Sequence, residues 1–357
     1  MTDVLPAMDL SQIVGLGEFE PLARERMTAP DFEYVAGGAW DEITLRESEE
    51  AWRRLRFVPR VLTDVRSVAV QGTFLGRTFP LPVAMAPMAA QALGHPDGEV
   101  AAVRGTAAAG LPYCLSTSSS RSLEEVAAAA PDAERWFQLY LVHSLDWTRS
   151  LVERAAATGY RAIVLTVDLP VLGYRERDRR SAFALPHMPH IDGATGETRT
   201  RYGGLEQQHE LGLSWKTVEA VRTWSPLPLI LKGVLSPVDA RLAAESGVDG
   251  IVVSTHGARQ LDRAIASADA LPAIVDAVAG RCEVWVDGGI RRGLDVLLAL
   301  ALGATGVMVG RPLFWALAAG GAAGVERAFA ILREEVELGM ALLGVPDVAS
   351  LDRRLIA

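Results

Sequence analysis

The feature that most limits what this chain can fold into is a repeat of short apolar runs, each followed by an alanine-rich helical pattern. The runs are Pro82 to Ala86, Tyr113 to Leu115, Trp136 to Leu139, Ala162 to Leu165, Leu229 to Leu231, Gly250 to Val253, Glu283 to Val286 and Gly306 to Val309. Apolar stretches this short, bounded by turn residues, read as buried strands. The segments between them carry helix ends: Ser236-Pro237 is an N-cap with proline in the first turn, and Gly247 stops the same helix. Strand then helix, repeated, implies parallel pairing. The pattern predicts an α/β fold, a closed (β/α)8 TIM barrel taking in residues 1–357 as one domain. Periodicity by itself leaves an open doubly wound sheet as the alternative.

The residues after each run are small or polar. They are Pro87 and Ala89, Ser116, Gln138 and Tyr140, Thr166 and Asp168, Lys232, Ser254 and His256, Asp287 with Gly288 and Gly289, and Gly310 with Arg311. In a barrel all strand C-termini open onto one face, so these separate segments predict a single site. The net charge of −9, from 44 acidic and 35 basic residues, disfavours a nucleic-acid or anionic-membrane partner and favours a small molecule. Cys114 and Cys282 each sit in an apolar run and read as reduced core residues. No basic segment leads into an apolar one at the N-terminus, and no uninterrupted apolar stretch reaches about 18 residues. The expectation is a cytoplasmic protein that spans no membrane.

Two regions fall outside the repeat. A long separation between Val167 and Leu229 marks an insertion, with residues 177–213 as a lid loop. Its middle, Pro186 to Gly212, is rich in Gly, His, Thr, Glu and Gln, which predicts a mobile lid over the site. The first 80 residues hold a helical pattern and a Gly37-Gly38 turn, a helical cover for the rim or the bottom of the barrel.

Chemistry concentrates in the run Ile251 to Asp262, where an apolar strand ends in His256, followed three residues later by Arg259. An imidazole near neutrality serves as a general base, and a guanidinium fork binds a carboxylate. Glycines at 288, 289 and 310, with Arg291 and Arg311, lie after the seventh and eighth runs. That is the recurrent phosphate-binding place in these barrels. His95, His143, His187, His190 and His209 show no convincing metal-ligand spacing and read as structural, so no metal is expected.

Taken together, these segments resemble the FMN-dependent 2-hydroxy-acid oxidases and dehydrogenases, the group that includes glycolate oxidase, lactate oxidase and mandelate-oxidising enzymes. The resemblance runs from about Tyr34 to Met340 and rests on the order and spacing of many short motifs. These are Tyr34-Val-Ala-Gly-Gly-Ala, Met85-Ala-Pro, His95-Pro-Asp-Gly-Glu, Phe137-Gln-Leu-Tyr140, Leu165-Thr-Val-Asp168, Leu172-Gly-Tyr-Arg-Glu176, Leu231-Lys-Gly, the His256 segment, Asp287-Gly-Gly-Ile-Arg291 and Gly310-Arg-Pro. The resemblance implies that His256 takes a proton from the substrate while Asp168 orients the imidazole. It also implies that Arg175 and Arg259 clamp the carboxylate with help from Tyr34, and that Tyr140 bonds the 2-hydroxyl or the developing ketone oxygen. Ser116, Gln138, Thr166, Lys232 and Ser254 would contact the flavin ring or ribityl chain, with Pro87 and Ala89 against the ring. Gly289, Arg291, Gly310 and Arg311 would receive the phosphate, and Asp287 completes the implied cofactor-binding set.

The implied activity is oxidation of an (S)-2-hydroxy acid to the 2-keto acid, with electrons passed to O2 to give H2O2. Ala89 resembles the small residue that oxidases carry near the flavin. Ser118 stands where glycolate-oxidising relatives have tryptophan, so a larger or aryl substrate such as mandelate or 4-hydroxymandelate is expected. Thr255 replaces a frequent asparagine before the histidine. The alternatives are a dehydrogenase with a quinone or protein acceptor, or a non-redox flavin- or phosphate-binding barrel. A homo-oligomer, a tetramer by analogy, is also implied.

Overall fold

A computed structural model describes residues 9–142, 144–181, 183–192 and 212–357. Eight parallel strands close into a barrel: β1 Val83–Met85, β2 Tyr113–Ser116, β3 Arg135–Leu139, β4 Ala162–Thr166, β5 Leu229–Val234, β6 Gly250–Val253, β7 Glu283–Val286 and β8 Gly306–Val309. Each strand pairs with its sequence neighbours, and β8 closes on β1 with Val307 opposite Val83 and Val309 opposite Met85. Every residue of β1, β2, β3, β4, β6 and β8 is buried, which is why the strands read as unbroken apolar runs without alternation. The closed barrel, not the open sheet, is the fold.

The eight runs read from sequence fall on the eight strands, with ends differing by a residue or a few. The helix after β5 spans Pro237–Glu245, with the Ser236 hydroxyl accepting from the Asp239 amide as an N-cap. Gly247 follows it at φ 73°.

The N-terminal segment covers both ends of the barrel. Helices α1 Phe19–Arg26, α2 Ala29–Ala36 and α3 Ile43–Arg54 precede a hairpin of Gly72–Phe74 and Arg77–Phe79, which the sequence reading missed. The hairpin plugs the bottom, where Phe74 meets Trp136 and Trp285 edge-on at 6.1 and 4.6 Å, and the Leu75 amide donates to Glu283 at the start of β7. At the opposite end α2 and α3 wall the mouth. The Ala39 amide donates to Ala258, and the Trp52 indole donates to the Gly288 carbonyl.

The described ends of the insertion are docked rather than loose. Phe183, Leu185, Met188, His190 and Ile191 are buried, and Phe183 stacks on Tyr34 at 4.1 Å. His190 Nε2 accepts from the Leu123 amide at 2.9 Å and Nδ1 lies 3.2 Å from the Thr117 carbonyl, so burial holds this ring neutral with its pKa pushed down to about 4. Apolar residues spaced among the polar ones anchor the segment, a signal that its polar composition hid. Residues 193–211, most of the predicted lid, lie outside the described residues, as do His143 and His209. His187 pairs with Asp192 at the surface, and His95 packs where the C-terminal helix Arg311–Leu343 departs from helical geometry at Gly320 and Gly321. That helix is long and apolar enough to cross a bilayer, but 67% of its most apolar window is buried within the fold.

Candidate active site

The C-terminal ends of the strands ring a cavity of about 1080 Å³, its open mouth included. His256 stands in it on a turn that L-residues avoid: His256, Gly257 and Ala258 all have positive φ, at 57°, 63° and 59°. Left-handed backbone costs about 1–2 kcal/mol for a residue with a Cβ, so the surroundings must hold it. They do so through Ser254 Oγ accepting from the His256 amide, Ala39 donating to the Ala258 carbonyl, and Arg311 Nη2 donating to the Gly257 carbonyl at 2.9 Å.

The result is an imidazole with two defined sides. Nδ1 lies 2.8 Å from Asp168 Oδ1, an acceptor, so Nδ1 carries the hydrogen and Nε2 the lone pair. Nε2 faces the Tyr140 hydroxyl at 3.1 Å. Burial pulls the pKa of His256 below the ordinary histidine value, outweighing the opposing pull of Asp168, and Lys232 and Arg175 act in the same direction as burial. The ring is therefore neutral and ready to accept a proton at neutral pH. Burial also raises the Tyr140 phenol, which stays protonated.

Beside the imidazole are two guanidiniums that, among the described residues, donate to backbone and side-chain amide carbonyl oxygens. Arg259 Nη1 donates to the Tyr34 and Gly37 carbonyls at 2.6 and 2.8 Å, and its guanidinium lies over the Tyr34 ring at 4.7 Å. Among the described residues its buried Nη2 has no hydrogen-bond partner, and Asp178 lies at 3.8 Å. Arg175 Nε donates to the Arg259 carbonyl, and burial followed by repulsion from Arg259 lowers its pKa to about 10. Two cations at one wall of the cavity have the charge and fork geometry that a carboxylate requires.

Around the barrel the remaining strand ends form a polar floor. Ser116 Oγ donates to Gln138 Oε1, and Gln138 Nε2 donates to Thr166 Oγ1. Lys232 Nζ reaches Asp287 Oδ2 at 2.9 Å and Ser254 Oγ at 2.8 Å. Burial disfavours its charge, but Asp287 and Asp168 outweigh that and raise its pKa, so a permanent cation sits in the floor. Asp287 thus serves as the counterion of Lys232 in this structure. The backbone at Gly288 and Gly289 has φ 92° and 82°, and a Cβ at Gly289 would fall 1.9 Å from the Ser48 carbonyl. Pro87, Ala89 and Gly310 line the same space.

Every residue given a catalytic or cofactor role from sequence lines this cavity except two, Asp168 and Ser254, which stand directly behind His256 and Lys232. Two arginines of the expected phosphate side also hold protein partners. Arg291 pairs with Glu49 at 2.9 Å, and Arg311 donates to the carbonyls of Val35, Gly37 and Gly257. Burial lowers the pKa of Arg311 to about 9.

The model of the FMN-dependent dehydrogenase family matches residues 23–357. The chain belongs to that family. An L-lactate oxidase from a Nostoc species is 45% identical over 96% of this chain and 98% of its own length. Glycolate oxidase 1 of Zea mays is 43% identical over 97% of this chain and 96% of its own length. A crystal structure of mandelate oxidase with (S)-4-hydroxymandelic acid superposes with a TM-score of 0.90 at 43% identity, covering 97% of this chain and 98% of that one. As a member of the FMN-dependent dehydrogenase family the chain is a flavoprotein oxidoreductase with FMN as cofactor, and the non-redox alternative falls.

The residues present fit FMN. A buried cation, a chain of hydroxyl and amide groups, and a glycine turn too tight for any Cβ supply what a flavin ring, a ribityl chain and a phosphate require. In this family member Lys232, Gln138, Thr166, Ser116 and Ser254 would hold the ring and ribityl side, and Gly289, Gly310, Arg291 and Arg311 the phosphate side. Sequence reading passed over Gln260, which is buried behind the clamp, because a glutamine after a strand end carries no chemical signature of its own.

Proposed function

We propose that the chain oxidises an (S)-2-hydroxy acid to the 2-keto acid, with O2 as the electron acceptor and hydrogen peroxide as the second product. The observation that carries this reading is His256 at the cavity wall, its Nε2 left as the acceptor toward the Tyr140 hydroxyl, beside the carbonyl-bound guanidiniums of Arg175 and Arg259. The substrate carboxylate docks on Arg175 and Arg259 with the Tyr34 hydroxyl. That fixes the 2-carbon and its hydroxyl near Nε2, where general-base catalysis contributes about 10²–10⁴-fold. Tyr140 turns its hydroxyl from Nε2 to the 2-oxygen. Asp168 stabilises the imidazolium that forms. Bound FMN supplies the two-electron acceptor for the oxidation.

The substrate side chain is proposed to be larger than that of glycolate, aryl in the case of mandelate or 4-hydroxymandelate. Ser118 supports this: it is small, buried at the cavity wall, and its hydroxyl has no partner among the described residues. A buried hydroxyl without a partner is costly unless a ligand satisfies it. The relative solved with (S)-4-hydroxymandelic acid points the same way.

The test is direct. The purified yellow protein is made anaerobic and mixed with (S)-mandelate, (S)-lactate or glycolate while the flavin absorbance is followed. Bleaching with a preference for the aryl acid is expected, with colour and hydrogen peroxide returning on admission of air. Colour that returns only with a quinone or dye would make the chain a dehydrogenase. Failure of every 2-hydroxy acid to bleach the flavin would overturn the reading.

A further inference from the structure

We propose that Gln260 is a positioning residue that sets the spacing between the base and the carboxylate clamp, an inference that rests on the function proposed above. Its carboxamide is buried, and among the described residues every hydrogen bond it makes goes to one other segment, the connection after β4 that carries both Asp168 and Arg175. Nε2 donates to the Asp168 carbonyl at 3.0 Å and to the Val171 carbonyl at 2.9 Å. Oε1 accepts from the Gly173 amide at 3.1 Å and lies 3.4 Å from Arg175 Nη2. The two donor hydrogens and both acceptor sites of the amide are thereby used on a single partner segment.

Gln260 also ends the turn that carries His256 and Arg259. The amide therefore stitches the two loops of the proposed chemistry together: His256 and Arg259 on one side, Asp168 and Arg175 on the other. The junction leaves no slack. A Cβ on Gly173 would come within 2.4 Å of the Arg259 carbonyl and 2.8 Å of the Gln260 Cα. Arg175 Nε reaches across the same seam to the Arg259 carbonyl at 3.1 Å. The donor half of the amide holds the stretch beginning at Asp168, which orients the imidazole. The acceptor half holds Gly173 and Arg175, which meet the carboxylate.

That division gives two variants with different expected results. Gln260→Glu keeps the acceptors toward Gly173 and Arg175 but sets a carboxylate against two carbonyl oxygens. Gln260→Ala removes both halves. Each FMN-loaded variant is measured for the anaerobic rate of flavin reduction by a 2-hydroxy acid, for the affinity of a 2-keto acid (pyruvate or phenylglyoxylate) read from the flavin spectrum, for FMN affinity and for Tm. Gln260→Glu is expected to slow reduction by about 10²-fold, the scale for a misplacement of about 1 Å, while keeping near-wild-type keto-acid affinity. Gln260→Ala is expected to lose both, and FMN affinity is expected to hold in both variants. The proposal is overturned if reduction and keto-acid affinity stay at wild-type values. It is equally overturned if all four readouts fall in parallel in both variants, the mark of a merely structural residue. A wild-type flavin that no 2-hydroxy acid bleaches overturns the functional reading itself, and this proposal with it.

Discussion

His256 owes its behaviour to burial and to Asp168, two influences that a single side-chain change can separate. Asp168 both orients the ring and raises its pKa, against a larger lowering by burial. Asp168→Asn keeps the shape and removes the charge, so the pKa of His256 falls further. The acid limb of the pH profile for flavin reduction should move to lower pH, and the plateau rate should drop because an amide does not hold the Nδ1–H tautomer or the imidazolium. Stopped-flow reduction at a series of pH values checks both; an acid limb moving to higher pH would contradict the assignment. The sign follows from the wild type, whose lowered pKa favours the unprotonated base at neutral pH. At this scale much was legible in the sequence. His256, Arg259, Asp168 and Lys232 were placed by the kind of residue standing at each strand end. The protein partners of Arg311 and Asp287 were not, because they are the backbone carbonyls of Val35, Gly37 and Gly257 and a lysine on another strand, which no local pattern reveals.

One element shows how backbone geometry makes room for chemistry. Strand β5 slips register on β6 between Lys232 and Val234, and Gly233 at that bulge has φ 107°. A Cβ there would lie 2.4 Å from Asp168 Cγ. The bulge thus lets the Asp168 carboxyl pass close to the backbone while Lys232 points to Asp287 and Ser254. Gly233→Ala meets both strain and a clash, so it should destabilise the fold by about 1–2 kcal/mol from the backbone alone. In the folded, FMN-loaded fraction it should slow reduction by pushing Asp168 off the imidazole. Denaturant unfolding and anaerobic reduction measure the two effects separately, and a normal reduction rate would place the support of His256 elsewhere. The barrel strands were readable because a strand buried on both faces is an uninterrupted apolar run. The hairpin at Gly72–Phe74 and Arg77–Phe79 was not, since only Phe74 and Phe79 of its short strands carry large apolar side chains and their burial comes from Trp136 and Trp285 far along the chain.

Across the whole molecule, the site exists only because the barrel closes. Its residues come from α2 and from the ends of all eight strands, so the unfolded chain has no pocket for FMN. Ligand that binds only the folded state stabilises it by mass action, about 2.7 kcal/mol at a hundredfold excess over Kd. Tm should accordingly rise with added FMN and level off nowhere below that excess; a Tm indifferent to FMN would mean that the cofactor site is not part of the folded barrel. The same convergence underlies the central claim, that an imidazole from one loop and guanidiniums from two loops act on one substrate over one flavin. The most direct test is anaerobic reduction of FMN-loaded His256→Ala by the best 2-hydroxy acid. FMN affinity is expected to be unchanged and reduction slowed by about 10²–10⁴-fold, the usual share of a general base. Reduction at the wild-type rate would contradict it.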